Sequence, residues 1–121
     1  MFLFMSPSGH RVERLAGQIQ GEVAVMIARE LNDPRIGFTT VTRVELSPDL
    51  HQARVLISVM GSAESQQETL KGLSSAAGYI RHEIGRRLRL RRVPEVVFIL
   101  DHGVEQSQRI ETLLQKLRKE E

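Results

Sequence analysis

Between Arg81 and Arg92 the chain carries six arginines, Arg81, Arg86, Arg87, Arg89, Arg91 and Arg92, against one acid, Glu83. This is a net +5 within twelve residues of a chain whose overall charge is +2, so the remainder is mildly acidic at −3. Guanidinium groups are permanently charged planar forks that match phosphate oxygens. A dense cationic stripe on a mildly acidic body is the charge distribution of a nucleic-acid binder, because phosphate contacts need clustered cations while the rest faces away. The competing reading is a solvated helix face laced with salt bridges, for which Glu83 offers few partners. The phosphate-binding reading is favoured.

Other chemistry is hard to build from these residues. With no cysteine there is no disulfide framework, thiolate metal site, iron-sulfur cluster or cysteine nucleophile, which fits a reducing compartment such as the cytoplasm. His10, His51, His82 and His102 lack ligand-like spacing with one another or with acids, so no metal site is expected. Neither a glycine-rich phosphate loop followed by Lys and Ser or Thr nor a Gly-x-Ser-x-Gly turn occurs. Asp33, Asp49 and Asp101 fall at element ends, where capping and turn formation account for them. An enzyme, a cofactor and a small-molecule substrate are therefore not expected. Aromatic residues are only 4% of the chain, with Tyr79 the sole tyrosine, which disfavours a sheet that stacks RNA bases on aromatic platforms.

The elements that position the arginines can be read from periodicity. Val12, Leu15, Ala16, Ile19, Val23, Met26, Ile27 and Leu31 recur at helical steps and predict a helix from about Arg11 to Leu31, stopped by Asn32-Asp33-Pro34. Thr39 to Leu46 is β-branched, Ser47-Pro48-Asp49-Leu50 has turn chemistry, and Ala53, Val55, Ile57 and Val59 alternate with polar residues, which together predict a hairpin. After Gly61, Ser65 and Glu68 have capping-box spacing, and Leu70, Leu73, Ala77, Ile80, Ile84 and Leu88 form one apolar stripe. Val93-Pro94 ends that run, Glu95 to Asp101 reads as a strand apolar enough for the sheet centre, and Ile110, Leu113, Leu114 and Leu117 define a terminal helix. The 121 residues make one domain, with an N-terminal extension over 1–10 expected to be mobile, a folded unit over 11–117 and a frayed end over 118–121. The apolar run from Met1 to Met5 is too short for a signal peptide or a membrane span, so a soluble chain is expected. The predicted fold class is α+β, a three-stranded mixed sheet covered on one face by helices.

On the second helix, Gly78, His82, Gly85 and Arg89 share a stripe away from the apolar one. Two glycines keep the helix surface low there. Either a phosphate backbone approaches closely, with Arg86 and Arg89 reaching its oxygens, or another part of the same protein packs tightly against the helix.

These residues together resemble a family. The element order is that of a type II KH domain, and Asn32-Asp33-Pro34-Arg35-Ile36-Gly37, Val41-Thr42-Arg43-Val44-Glu45-Leu46-Ser47-Pro48-Asp49-Leu50 and Ala53-Arg54-Val55 closely resemble the bacterial ribosome-binding factor A family. The resemblance covers about Arg11 to Leu117, without the long charged C-terminal tail of some relatives. In that family an Ala-x-Gly kink between two helices replaces the Gly-x-x-Gly loop of ordinary KH domains, and Ala76-Ala77-Gly78 stands at that position here. The order implied is α-β-β-α(kink)α-β-α. What the resemblance implies is a monomeric, cytoplasmic assembly factor that binds the immature 30S small ribosomal subunit and its 16S rRNA. Support of 5′-end processing and importance in the cold are implied with it, and a membrane role is not. The implied RNA-binding set joins Ala76, Ala77 and Gly78 to Arg81, His82, Gly85, Arg86, Arg87, Arg89, Arg91 and Arg92. A transcriptional regulator would instead need a recognition helix and usually a two-fold dimer. A protein-interaction module would bind independently of salt and of these arginines. A kink with Gly78 at positive φ would make Gly78→Ala destabilising by more than about 1 kcal/mol.

Overall fold

The computed structural model describes residues 7–102. Helix α1 spans Pro7–Val25 and runs on into a single π-helical turn, Met26–Glu30. Strand β1 is Thr39–Leu46, β2 is Gln52–Val59, helix α2 is Ala63–Leu88, and β3 is Glu95–Leu100. The terminal helix expected around Ile110 to Leu117 lies outside the described residues.

The sheet order is β1-β2-β3, with β1 and β2 antiparallel and β2 and β3 parallel. A parallel pair needs a crossover, and α2 supplies it. The central strand is therefore β2, and the expectation that Glu95 to Asp101 sits at the centre is corrected: β3 is an edge strand, with Ile99 turned outward and 36% exposed. On β2, Ala53, Val55, Ile57 and Val59 face the helices, opposite Val44 and Leu46 of β1 and Val96 and Phe98 of β3. Ile19, Val23 and Met26 from α1 and its π turn and Leu73, Ile80 and Ile84 from α2 close the core from above. Arg43, Glu45, Arg54, Ser58 and Glu95 on the other face are exposed, as expected for a sheet covered on one side.

A strict alternation would put Val41 and Val44 on opposite faces. The register shift between Val41 and Arg43 leaves Thr42 as an extra residue, which turns both valines inward. The Thr42 hydroxyl stabilises the bulge by donating to the Leu56 carbonyl at 3.1 Å, and it is also 2.8 Å from the Asp101 carboxylate.

Helix boundaries differ from the sequence expectation where caps intervene. The Leu31 amide bonds the Met26 carbonyl, five residues back, at 2.9 Å, so the last turn of the first helix is wider than an α turn before the chain extends into Asn32-Asp33-Pro34. At the start of α2, Ser62 rather than Ser65 is the cap, its side-chain oxygen accepting the Ser65 amide at 3.1 Å.

The break in the helix expected at Gly78, with the glycine at positive φ, is absent. Ala63–Leu88 is one continuous α-helix, and Gly78 has no positive φ. Ala76 and Ala77 are half-buried against the core, part of the same apolar stripe that holds α2 to the sheet. That stripe is long enough to carry one glycine through without a break, since Gly costs only about 1 kcal/mol in a helix interior. A Cβ at Gly78 would meet nothing within 4 Å. At Gly72, by contrast, a Cβ would lie 2.8 Å from Ile36 Cγ1 and 3.3 Å from Asp33 Oδ2. Gly78→Ala should therefore stabilise the fold by about 0.4 to 1 kcal/mol, while Gly72→Ala should destabilise it by about 1 to 3 kcal/mol through overpacking. Denaturant unfolding of the two variants checks the opposite signs.

Candidate nucleic-acid interface

The C-terminal half of α2 carries Arg81, Arg86 and Arg87, and the chain beyond it, with Arg89, Arg91 and Arg92, folds back to make a groove. Leu88 ends the helix, and Arg89 takes the left-handed conformation, φ 54° and ψ 48°, so that its amide and that of Leu90 both reach the Gly85 carbonyl. This reversal lays Leu90 to Val93 alongside the helix. Val93 packs directly on Gly85, where a Cβ would come within 2.5 Å of Val93 Cγ2. Arg81 fastens the same segment, donating from Nε and Nη2 to the Val93 carbonyl at 3.2 and 3.0 Å. For Gly85 the close approach is thus made by the protein itself; for Gly78 the space above the helix is open.

The second wall comes from the turn between β1 and β2. Asp49 Oδ1 accepts the Ser47 hydroxyl at 2.7 Å and the His51 amide at 3.1 Å, and the Leu50 amide bonds the Ser47 carbonyl at 2.9 Å. Leu50 has φ 61°. The His51 carbonyl accepts the Glu95 amide at 2.8 Å, which ties the turn to the start of β3. Leu50 and His51 are thereby brought opposite α2.

Between the walls is an open groove of about 740 Å³ lined by Gly78, Arg81, His82, Gly85, Arg86, Arg91 and Arg92 with Leu50, His51, Leu90 and Val93. Its lining joins apolar Leu50, Leu90 and Val93 to the four arginines. The side chains of Arg89, Arg91 and Arg92 are exposed and make no hydrogen bond or ion pair among the described residues. Leu50 and His51 were not signalled as site residues in the sequence, because only the turn's folding back across the sheet end puts them there.

Arg87 does not join the groove. Its guanidinium, 19% exposed, is surrounded by three acids: it donates to Glu22 Oε2 at 3.3 Å, to both oxygens of Glu30, and to Glu83 Oε1. Tyr79 Oη donates to Glu30 at 3.1 Å, completing the cage. Glu83 also holds Arg86, accepting Nη2 at 2.8 Å and Nε at 3.2 Å. The sequence expectation that Glu83 offers too few partners is thus corrected, since Glu22 and Glu30 arrive from the first helix and its π turn. One of the two readings of the stripe, a structural ion pair, holds for Arg87. Ala76 and Ala77 likewise face the core rather than the groove.

Hydrogen bonds from Arg86, and then from Arg87, lower the Glu83 pKa to about 2, against burial that acts to raise it. Glu30 is lowered chiefly by its hydrogen bond from Arg87, and Arg87 itself is raised by the same bond. Among the described residues no group of His, Asp and Glu is placed to hold a metal ion.

The family model of ribosome-binding factor A matches residues 11–114. Ribosome-binding factor A of Desulforamulus reducens is 48% identical over 112 residues, 93% of this chain and 93% of that protein. A solution NMR structure of a Thermotoga maritima protein described as a ribosome-binding factor A is 38% identical with a TM-score of 0.69, covering 82% of this chain and 93% of that one. Thermus thermophilus ribosome-binding factor A, as a homology model fitted into a cryo-EM map of a 30S complex, is 30% identical with a TM-score of 0.62, over 75% of this chain and 96% of that one.

Two predictions follow from the geometry of the groove and its cage. Arg89→Gly removes a side chain from a left-handed position and should stabilise the fold by about 0.5 to 1 kcal/mol in denaturant unfolding. A carboxylate with a depressed folded pKa stabilises above its unfolded pKa and ceases to as pH falls through the folded one. Thermal stability should therefore decline as pH drops from about 4.5 towards 2, and Glu83→Gln should lose less over that interval than the unaltered protein when Tm is followed against pH.

Proposed function

Because the chain belongs to the ribosome-binding factor A family, we propose that it binds the immature 30S small ribosomal subunit through its 16S rRNA, with the α2 groove as the RNA-contacting surface. The observation that carries this reading is the groove itself: Arg81, Arg86, Arg91 and Arg92 in its lining, His51 from the turn and His82 from α2, and an open helix surface at Gly78. Such a surface takes up a phosphate backbone by neutralising its charge and releasing its counterions. The 30S complex into which the Thermus thermophilus relative was fitted supports the same partner.

The proposed mechanism is conformational. A domain that binds the maturing fold of the rRNA more tightly than its competitors shifts the population towards that fold and needs no bond chemistry to do so. Assistance of 5′-end processing and a requirement in the cold are part of the proposal, as is action in the cytoplasm as a monomer whose folded unit spans 11–117. Misfolded rRNA is harder to escape at low temperature, where RNA pairing is more stable, and a conformer-selective binder then matters most.

Affinity for purified small ribosomal subunits should fall steeply with salt, each phosphate neutralised contributing about −0.7 to −0.9 to the log-log slope. Replacing Arg91 and Arg92 together by Ala should flatten that slope by about 1.5 while leaving Tm little changed, because solvated surface charges contribute little to stability. A slope near zero for the unaltered protein would remove the electrostatic basis of this reading.

A further inference from the structure

Among the arginines that line the groove, Arg86 is the one gripped side-on by a carboxylate. Glu83 holds its Nε and Nη2 as a bidentate pair, from a side chain only 11% exposed, whereas Arg86 itself is 63% exposed. Nη1 of Arg86 makes no hydrogen bond among the described residues. A carboxylate this close to a phosphate-binding guanidinium ordinarily competes with the phosphate. Here the same Glu83 Oε1 also accepts Nε of Arg87 at 3.2 Å, and Arg87 is pinned by Glu22 on α1 and Glu30 on the π turn. Glu83 is thus tethered from behind through Arg87, and a guanidinium held by one edge presents its other edge in one direction.

We propose that Glu83 is a positioning residue for the nucleic-acid site: anchored to the first helix through Arg87, it fixes Arg86 by its Nε edge so that the remaining N–H groups face a phosphate in the groove. This rests on the reading of the groove as an RNA surface. The benefit is preorganisation, since a long flexible side chain whose rotamer is already fixed loses less freedom when the ligand arrives. It also explains why the one acid of the stripe is its most buried charged residue. If Glu83 served only to join α1 to α2, electrostatics would give the opposite sign, because deleting a negative charge beside a phosphate site strengthens polyanion binding.

The test is a salt titration of binding to purified small ribosomal subunits by the unaltered protein, Glu83→Gln, Arg86→Ala, Arg86→Lys and the Glu83→Gln/Arg86→Ala double variant. Glu83→Gln should weaken binding by about tenfold at low salt and flatten the slope by about 0.7 to 0.9, although it makes the protein more positive. In the Arg86→Ala background the same change should cost nothing further, because Glu83 acts through Arg86. Arg86→Lys, which keeps the charge and loses the fork, should fall as far as Arg86→Ala. Unchanged or tighter binding by Glu83→Gln, or a loss that adds in full to that of Arg86→Ala, overturns the assignment. Should Glu83→Gln fail to fold, Arg86→Lys decides, and binding like that of the unaltered protein overturns it. A flat slope for the unaltered protein itself defeats the RNA reading and this assignment together, whereas a steep slope insensitive to Glu83 defeats this assignment alone.

Discussion

Close approach of the chain to α2 at two glycines is the constraint from which the rest of the structure follows. At Gly72 the Asp33-to-Ile36 segment lies where a side chain would be, and at Gly85 Val93 does the same. The first contact is reinforced by Thr69, whose hydroxyl accepts the Gly37 amide at 3.0 Å and donates to the Arg35 carbonyl at 3.3 Å, and by the bidentate Arg35 to Asp33 pair. It delivers the chain from the π turn into β1. The second contact lays Leu90 to Val93 against the helix and so creates one wall of the groove and the direction of Arg91 and Arg92. Without either, α2 would stand off from its neighbours by about the width of a methyl group, and tightly packed interiors do not absorb such gaps without cost.

The same helix must satisfy two opposing electrostatic demands, and its geometry separates them. Successive residues on an α-helix point 100° apart, so Arg86 and Arg87 diverge, one to the groove and one to the first helix. Arg87 lies among Glu22, Glu30 and Glu83 and fastens the helix pair. The π turn contributes by widening the end of the first helix where Glu30 sits, within reach of Arg87 and Tyr79. Stability and binding therefore draw on different members of one arginine run.

Much of the fold was legible in the residues because its signals are local: the apolar period of three and four in both helices, the Ser-Pro-Asp-Leu turn and the alternation of β2. The bulge at Thr42 was hidden because Val41, Val44 and Leu46 break alternation by only one residue. The uninterrupted α2 was misread from Ala76-Ala77-Gly78, where resemblance to a kinked family outweighed an apolar stripe that runs straight through. The site was legible as charge and not as geometry. Nothing local says that Arg87 meets Glu22 and Glu30, more than fifty residues earlier, or that Leu50 and His51 line one groove with α2, since those pairings arise only when the sheet brings its ends together.

The central claim is that RNA contacts the groove formed by α2, the Leu90-to-Val93 segment and the Leu50-His51 turn. Ultraviolet crosslinking of the protein to small ribosomal subunits, followed by mass spectrometry of the nucleotide-bearing peptides, tests it directly. The account predicts crosslinks at residues 78–93 and at Leu50 or His51. Crosslinks confined to the exposed Phe38 and Met60 at the opposite end of the hairpin, or to Arg43 and Arg54 on the open sheet face, would contradict it.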